Sequence, residues 1–227
     1  MIYYGGIYKM KKLIFMFMLG CMLLIPGCSN GNNKDNQQQT SINGKTYNIP
    51  FSEIKTTIDT SKVFNSQDFE ADYDKNRSTL IKLKSDTITS TSNTVIISGS
   101  TVTITDQGTY ILSGSLDDGM IIVDAEKTDK IQLVLNNVSI HSQTSAPIYV
   151  KQAAKVLITL ASNSTNTLSN GGTFINIDEN HIDAVIFSKE DLTLNGSGTL
   201  GIISPGGHGI VSKDKLILTS GIYKISS

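Results

Sequence analysis

AVIFSKEDLTL at residues 184–194 and GIVSKDKLIL at residues 209–218 are two copies of one unit. Matched residues in the two copies lie 24 positions apart: Ile186 and Ile210, Ser188 and Ser212, Lys189 and Lys213, Leu192 and Leu216, Leu194 and Leu218. A unit this short cannot bury its own apolar face, so the copies must stack on one another. Stacking of short units is typical of a solenoid.

The start of the same unit occurs twice more upstream, at residues 147–151 and 120–124. Ile121 and Ile148 are 27 residues apart, whereas Ile148 and Ile186 are 38 apart, which indicates an insertion within residues 162–182. Each unit holds three short runs of alternating apolar residues, separated by Asn and Gly residues that suit corners. The sequence therefore predicts an all-β fold, a parallel β-helix or β-solenoid with three short strands per rung.

The first residues have the composition of an export signal. Lys11 and Lys12 precede an apolar run over residues 13–25, which is too short for a comfortable membrane span. The sequence IPGC at residues 25–28 resembles the lipobox of bacterial lipoproteins, in which the cysteine is acylated. We therefore expect a lipoprotein signal peptide over residues 1–27 and lipidation of Cys28. An ordinary secretory signal with an incidental cysteine is the alternative.

Composition divides the rest of the chain into three parts. Residues 28–45 are polar and predict a flexible tether, residues 46–94 predict an N-terminal cap and the first strands, and residues 95–227 predict the stacked rungs. No capping segment follows the last rung, so we expect a C-terminal truncation of a longer array. Without residues 1–27, the chain has 16 basic and 20 acidic residues and a net charge of −4, which argues against nucleic acid as a partner. The expected location is the extracellular face of the cell membrane, with membrane contact through the N-terminal lipid only.

From residue 69 onward the chain resembles a family of exported bacterial proteins known as carbohydrate-binding domain-containing proteins. The motifs that carry the resemblance are TVTIT at 101–105, GTYILSG at 108–114, IIVDA at 121–125, SAPIYVK at 145–151, AVIFSK at 184–189 and DLTLNGSG at 191–198. The resemblance implies a right-handed parallel β-helix similar to pectate lyases. It also implies calcium as a cofactor and binding of cellulose and of the pectin component polygalacturonate.

Outward side chains of matched strands should form columns about 4.8 Å apart. If Ile148 and its matched residues point inward, Lys151, Lys189 and Lys213 fall in one outward column, where their like charges repel. A uronate chain, with its regularly spaced carboxylates, would neutralise this column. The alternative is that neighbouring carboxylates such as Asp124 neutralise it.

Tyr149 and Phe187 occupy a second outward column, next to the lysines. Flat rings pack against the C–H faces of sugars, so these two residues predict a carbohydrate-binding platform. The alternative is that the insertion within residues 162–182 covers both rings.

Carboxylates near the end of that insertion are candidate calcium ligands. Asp178, Glu179 and Asp183 stand just before a predicted strand, and hard oxygen ligands of this kind suit calcium. A solvated turn is the alternative for the same residues.

Catalysis has weak support in the sequence. A glycosidase needs two facing carboxylates, and the rungs contain no acidic column to supply them. A lyase would need Lys189 or Lys213 as its base, with calcium. We therefore expect no catalytic residues and a non-catalytic binding function. A structural or adhesive surface protein is the alternative, and a pectate-lyase-like enzyme is the third reading.

Overall fold

The computed structural model describes residues 38–42, 45–49, 63–85 and 87–227. The chain falls into two compact units, residues 1–57 and 58–227. In the first unit, β1 (Gln38–Ile42) and β2 (Lys45–Ile49) form an antiparallel hairpin. The predicted signal peptide and Cys28 lie outside the described residues. A search of the described residues found no helix with the length and apolar character needed to span a membrane.

The second unit is all-β. Its described residues contain one short 3₁₀ helix, Ser66–Phe69, followed by strands. The strands are β3 (Thr79–Ser85), β4 (Thr87–Ser90), β5 (Val95–Ser98), β6 (Thr101–Ile104), β7 (Gly108–Leu116), β8 (Met120–Asp124), β9 (Lys130–Ser142), β10 (Ile148–Gln152), β11 (Lys155–Leu160), β12 (Thr165–Asn170), β13 (Ala184–Ser188), β14 (Leu192–Gly196), β15 (Thr199–Ile203), β16 (His208–Ser212), β17 (Leu216–Leu218) and β18 (Ile222–Ser226).

One sheet has the strand order β5-β6-β8-β10-β13-β16, and all its pairs are parallel except β5 with β6. Ile148 pairs with Ile121 on one side and with Ile186 on the other, and Ile186 pairs in turn with Ile210. The register inferred from the sequence repeat is therefore confirmed.

The second sheet divides at β9. Residues 130–135 of β9 pair with β11, and residues 139–142 pair with β12. Two parallel branches continue from these points, β11-β14-β17 and β12-β15-β18, so every third strand along the chain pairs in parallel. Among the three apolar runs of this unit, the sequence predicts two separate strands here, at residues 131–135 and 138–140. The structure contains one continuous strand that turns at Asn137, whose φ of 58° lies in the left-handed region.

The alternating apolar residues of the strands form one core that runs along the stack. Ile121, Ile148 and Ile186 from the first sheet are fully buried, and so are Leu133 and Leu194 from the second. Side chains of each strand contact those of the strands paired with it, so the core depends on the stacking of parallel strands.

Two details differ from the sequence-based expectation. The extra residues are confined to 171–183, because β12 is a regular strand within the predicted insertion. The first strands are not simple parallel coils either, since β4 pairs antiparallel with β3 and β5 pairs antiparallel with β6. Antiparallel pairing supplies partners to backbone groups of β3 and β6 that would otherwise lie at the edge of a sheet.

Candidate functional site

The outer face of the first sheet carries the predicted aromatic column. Tyr149 and Phe187 pair in register on β10 and β13, with ring centroids 5.9 Å apart. Both side chains are 1% exposed, because residues 171–183 cover them and contribute Ile182 and Phe174 to the same cluster. The expectation of an exposed aromatic platform is therefore wrong for these two rings. The alternative, coverage by the insertion, is the arrangement found.

A hydrogen-bond network holds the covering segment onto the sheet. The Tyr149 hydroxyl donates to Asp178 Oδ2 at 2.7 Å and accepts from Asn180 Nδ2 at 2.8 Å. Burial, together with the Asp178 carboxylate, raises the pKa of the Tyr149 phenol. Burial alone would raise the pKa of Asp178, but the donors Tyr149 and Asn180 lower it below its ordinary value. Asp178 therefore stays charged at neutral pH as an acceptor in this network.

One of the three lysines in the predicted column is already paired with a carboxylate of the protein. Lys151 Nζ lies 2.7 Å from Asp124 Oδ2, so a neighbouring carboxylate neutralises this member, as the alternative reading held. That hydrogen bond, with the charge of Asp124, raises the pKa of Lys151. The register shifts between Val150 and Gln152, which makes Lys151 the extra residue of a bulge.

Lys189 and Lys213 lie next to each other at the ends of the paired strands β13 and β16, as the sequence repeat predicts. The Lys213 amide donates to the Ser188 carbonyl at 2.8 Å, which continues the parallel pairing of β13 with β16. The Lys213 ammonium lies 5.3 Å from the centroid of the Phe187 ring, within cation–π distance. Within the described part of the chain, neither lysine forms a salt bridge with a carboxylate. These two cations are therefore the members of the column that remain available to a ligand.

The predicted calcium ligands do not converge on one point. Asp178 accepts from Tyr149 and Asn180, as described above, while Asp183 Oδ2 lies 3.9 Å from His208 Nε2. The other oxygen of Asp183, Oδ1, is buried without a hydrogen-bond partner. Over the described ranges, no group of three His, Cys, Asp or Glu side chains is placed to hold a metal ion. Asp178, Glu179 and Asp183 thus do not fit a shared calcium site.

Sequence reasoning missed a polar row on the outer face of the second sheet. Thr109 donates to Gln132 Oε1 at 3.0 Å, and Gln132 Nε2 donates to Thr159 Oγ1 at 3.0 Å. Thr159 in turn donates to Asn195 Oδ1 at 2.7 Å. These four side chains belong to β7, β9, β11 and β14, so the row crosses four successive strands. The recurrence of polar residues at outward strand positions was the available sequence signal.

A segment that precedes the strands lies across this row, and we refer to residues 65–78 as the strap. Its 3₁₀ helix begins with a capping box, in which Asn65 and Asp68 each accept the other's backbone N–H. Asn195 Nδ2 donates to the carbonyl of Glu70 at 3.0 Å, and Thr219 Oγ1 donates to the carbonyl of Asp68 at 3.0 Å. The strap is therefore tied to several strands at once.

A buried ion pair provides the deepest contact of the strap. Asp68 is 0% exposed and pairs with the Lys155 ammonium, whose side chain is 7% exposed. Thr193 also donates to Asp68 Oδ1, at 2.8 Å. Burial acts to raise the pKa of Asp68, but the hydrogen bonds from Asn65, Lys155 and Thr193 outweigh burial and lower the pKa. The carboxylate is therefore ionised in the folded protein at neutral pH.

The fold and its outer faces define an all-β protein of stacked parallel strands, with polar and cationic groups on its surface. The family model for carbohydrate-binding domain-containing proteins matches residues 98–227, and the chain belongs to this family. The resemblance inferred from the sequence motifs is therefore confirmed.

Two relatives support this assignment. A carbohydrate-binding domain-containing protein of Acetivibrio thermocellus is 38% identical over 122 residues, which are 53% of this chain and 43% of that protein. A solved structure, the gadolinium derivative of the polysaccharide lyase-like protein from C. thermocellum, matches with a TM-score of 0.63 and 33% identity. That match covers 65% of this chain and 61% of the solved chain. The chain thus spans less than two thirds of the length of either relative.

Proposed function

We propose that this protein binds polysaccharide at the cell surface without cleaving it, and that its stacked sheets form a right-handed parallel β-helix. The observation that carries the binding function is the family match over residues 98–227, which includes both available lysines of the column. The pairing of every third strand supports the three-strand rung of such a helix.

We propose a uronan such as polygalacturonate as one ligand. Lys189 and Lys213 stand on adjacent rungs without a carboxylate partner among the described residues, and adjacent strands are about 4.8 Å apart. A polymer with a carboxylate on each sugar presents anions that can neutralise both ammonium groups. Cellulose, which carries no charge, gains nothing from these two cations.

A lyase remains the competing function, because the structural neighbour is titled polysaccharide lyase-like. A lyase would use a lysine of the column as its base and release unsaturated uronides from polygalacturonate. The test is to incubate the protein with polygalacturonate and measure both the bound fraction and the unsaturated products. Binding without product supports our proposal, and product formation that Lys189→Ala abolishes would overturn it.

Calcium assistance and the membrane anchor are separate parts of the proposal. Since Asp178, Glu179 and Asp183 do not fit a shared site, we assign calcium to no particular residues. Loss of polygalacturonate binding on chelation, with recovery on added calcium, would support a calcium requirement, and unchanged binding would contradict it.

For the membrane anchor, Cys28→Ser should abolish labelling by a radioactive fatty acid and release the protein from the membrane fraction. Labelling that persists in the variant would contradict lipidation at Cys28.

A further inference from the structure

We infer that the edge of the strap forms a second carbohydrate site, separate from the lysine column and suited to a neutral glycan. This inference rests on the proposed polysaccharide-binding function and gives it a place for uncharged chains. The site consists of two adjoining clefts of about 290 and 380 Å³, which share Asp72, Gly108 and Thr109 as a common wall. We refer to the two clefts together as the strap groove. Volumes of roughly 300–1,000 Å³ are usual for small-ligand sites.

The first cleft lies between the strap and the polar row. Gln132 lines it with its amide fixed by Thr109 and Thr159, and the same amide reaches the carbonyl of Asp72 at 3.4 Å. Gln107 also lines the cleft and is exposed, with its amide free to meet a ligand. The Gln132 amide is already occupied by these protein partners, so the Gln107 amide is the one that can both donate to and accept from sugar hydroxyls.

The second cleft contains an aromatic ring. Tyr73 is half-buried and lines the cleft. Its side chain packs against a buried apolar cluster of Ile111, Val134 and Ala161, which holds it in place. Flat rings of this kind pack against the C–H faces of sugars. Tyr73 therefore offers the partly open ring that the buried Tyr149 and Phe187 do not.

The charges around the strap groove favour a neutral ligand. Its lining includes three carboxylates, from Glu70, Asp72 and Asp74, but only two cations, from Lys130 and Arg77. A uronan would bring further negative charge beside the carboxylates, whereas carboxylates accept hydrogen bonds readily from neutral sugar hydroxyls. The ligand class that fits is an uncharged hexose chain, and cellohexaose is a suitable soluble probe.

The test measures binding of cellohexaose and of hexagalacturonate to the full chain by calorimetry. Tyr73→Leu keeps an apolar side chain over Ile111, Val134 and Ala161 but removes the flat ring. We expect this variant to bind cellohexaose at least tenfold more weakly and to keep its affinity for hexagalacturonate. The exposed residue Asp117 lies outside both clefts, so Asp117→Asn is a matched surface control.

A second variant guards against loss of folding. Arg77 and Gln107 are exposed, so Arg77→Ala combined with Gln107→Ala should leave the thermal midpoint unchanged while weakening cellohexaose binding. Wild-type affinity for cellohexaose in both variants would overturn the strap groove and leave the proposed function intact. If the wild-type protein binds hexagalacturonate but not cellohexaose, the strap groove is likewise overturned and the proposed function stays intact. Binding of neither sugar by the folded protein would overturn both proposals.

Discussion

Removing the Lys155 ammonium should unfold the protein at a markedly lower denaturant concentration. Lys155→Met keeps an unbranched apolar side chain of similar length but leaves the Asp68 carboxylate, 0% exposed, without its cation. Breaking a buried ion pair by removal of one partner costs about 3–5 kcal/mol. Asn65 and Thr193 still donate to the carboxylate, so we expect a loss near the lower limit, about 3 kcal/mol.

The matched control is Lys130→Met. Lys130 pairs in register with Lys155 on the adjacent strand, but it is exposed and forms no salt bridge within the described part of the chain. Its replacement should change the free energy of unfolding by less than about 0.5 kcal/mol. Urea unfolding followed by circular dichroism gives both values at one protein concentration.

The double variant tests the electrostatic reasoning. Asp68→Asn combined with Lys155→Met removes both charges, so no uncompensated ion remains in the buried site. We expect the double variant to be more stable than the sum of the two single losses predicts, by about 2 kcal/mol. Strict additivity, or a loss in Lys155→Met no larger than in Lys130→Met, would refute this account of the strap.

Three further predictions concern the other site residues. Lys189→Ala combined with Lys213→Ala should weaken polygalacturonate binding in pull-down assays and spare cellulose binding; equal losses on both polymers would contradict the column. Tyr149→Phe removes a donor to the charged Asp178 and should lower the free energy of unfolding by roughly 1.5–3 kcal/mol in urea titrations, with an unchanged value as the opposing result. The folded-state pKa of Asp68 lies below its ordinary value of 3.8, so its charge stabilises the fold above that pH and this contribution is lost as the pH falls through the lowered pKa. Asp68→Asn should therefore make stability less dependent on pH below about 4, and an unchanged acid profile would contradict this.

The stacking register was predictable because it leaves a periodic trace. Ile186 and Ile210 repeat at the same spacing as the residues around them, and they pair in the structure as that spacing requires. Alternation along each strand also gave the side of the sheet on which Tyr149 and Phe187 lie. These features were predictable because each repeat of the sequence unit contains them.

The segments that cover the outer faces of the two sheets could not be predicted from periodicity. Alternation states that Tyr149 points outward, but it does not state whether residues 171–183 fold back over the ring. The position of the strap is harder to predict from the sequence. Asp68 and Lys155 are 87 residues apart, and their pairing does not recur at the spacing of the repeat. The bulge at Lys151 was hidden for a related reason, because a single shift in register interrupts the repeat without changing the residue types.

The most direct test of the central claim is depletion of the full, folded chain from solution by insoluble cellulose and by insoluble polygalacturonate, with bovine serum albumin as the control protein. We predict saturable binding to polygalacturonate that falls as ionic strength rises, and binding to cellulose that depends little on salt. Depletion by neither polymer, with circular dichroism showing an intact β-sheet fold, would contradict the claim that this protein binds polysaccharide.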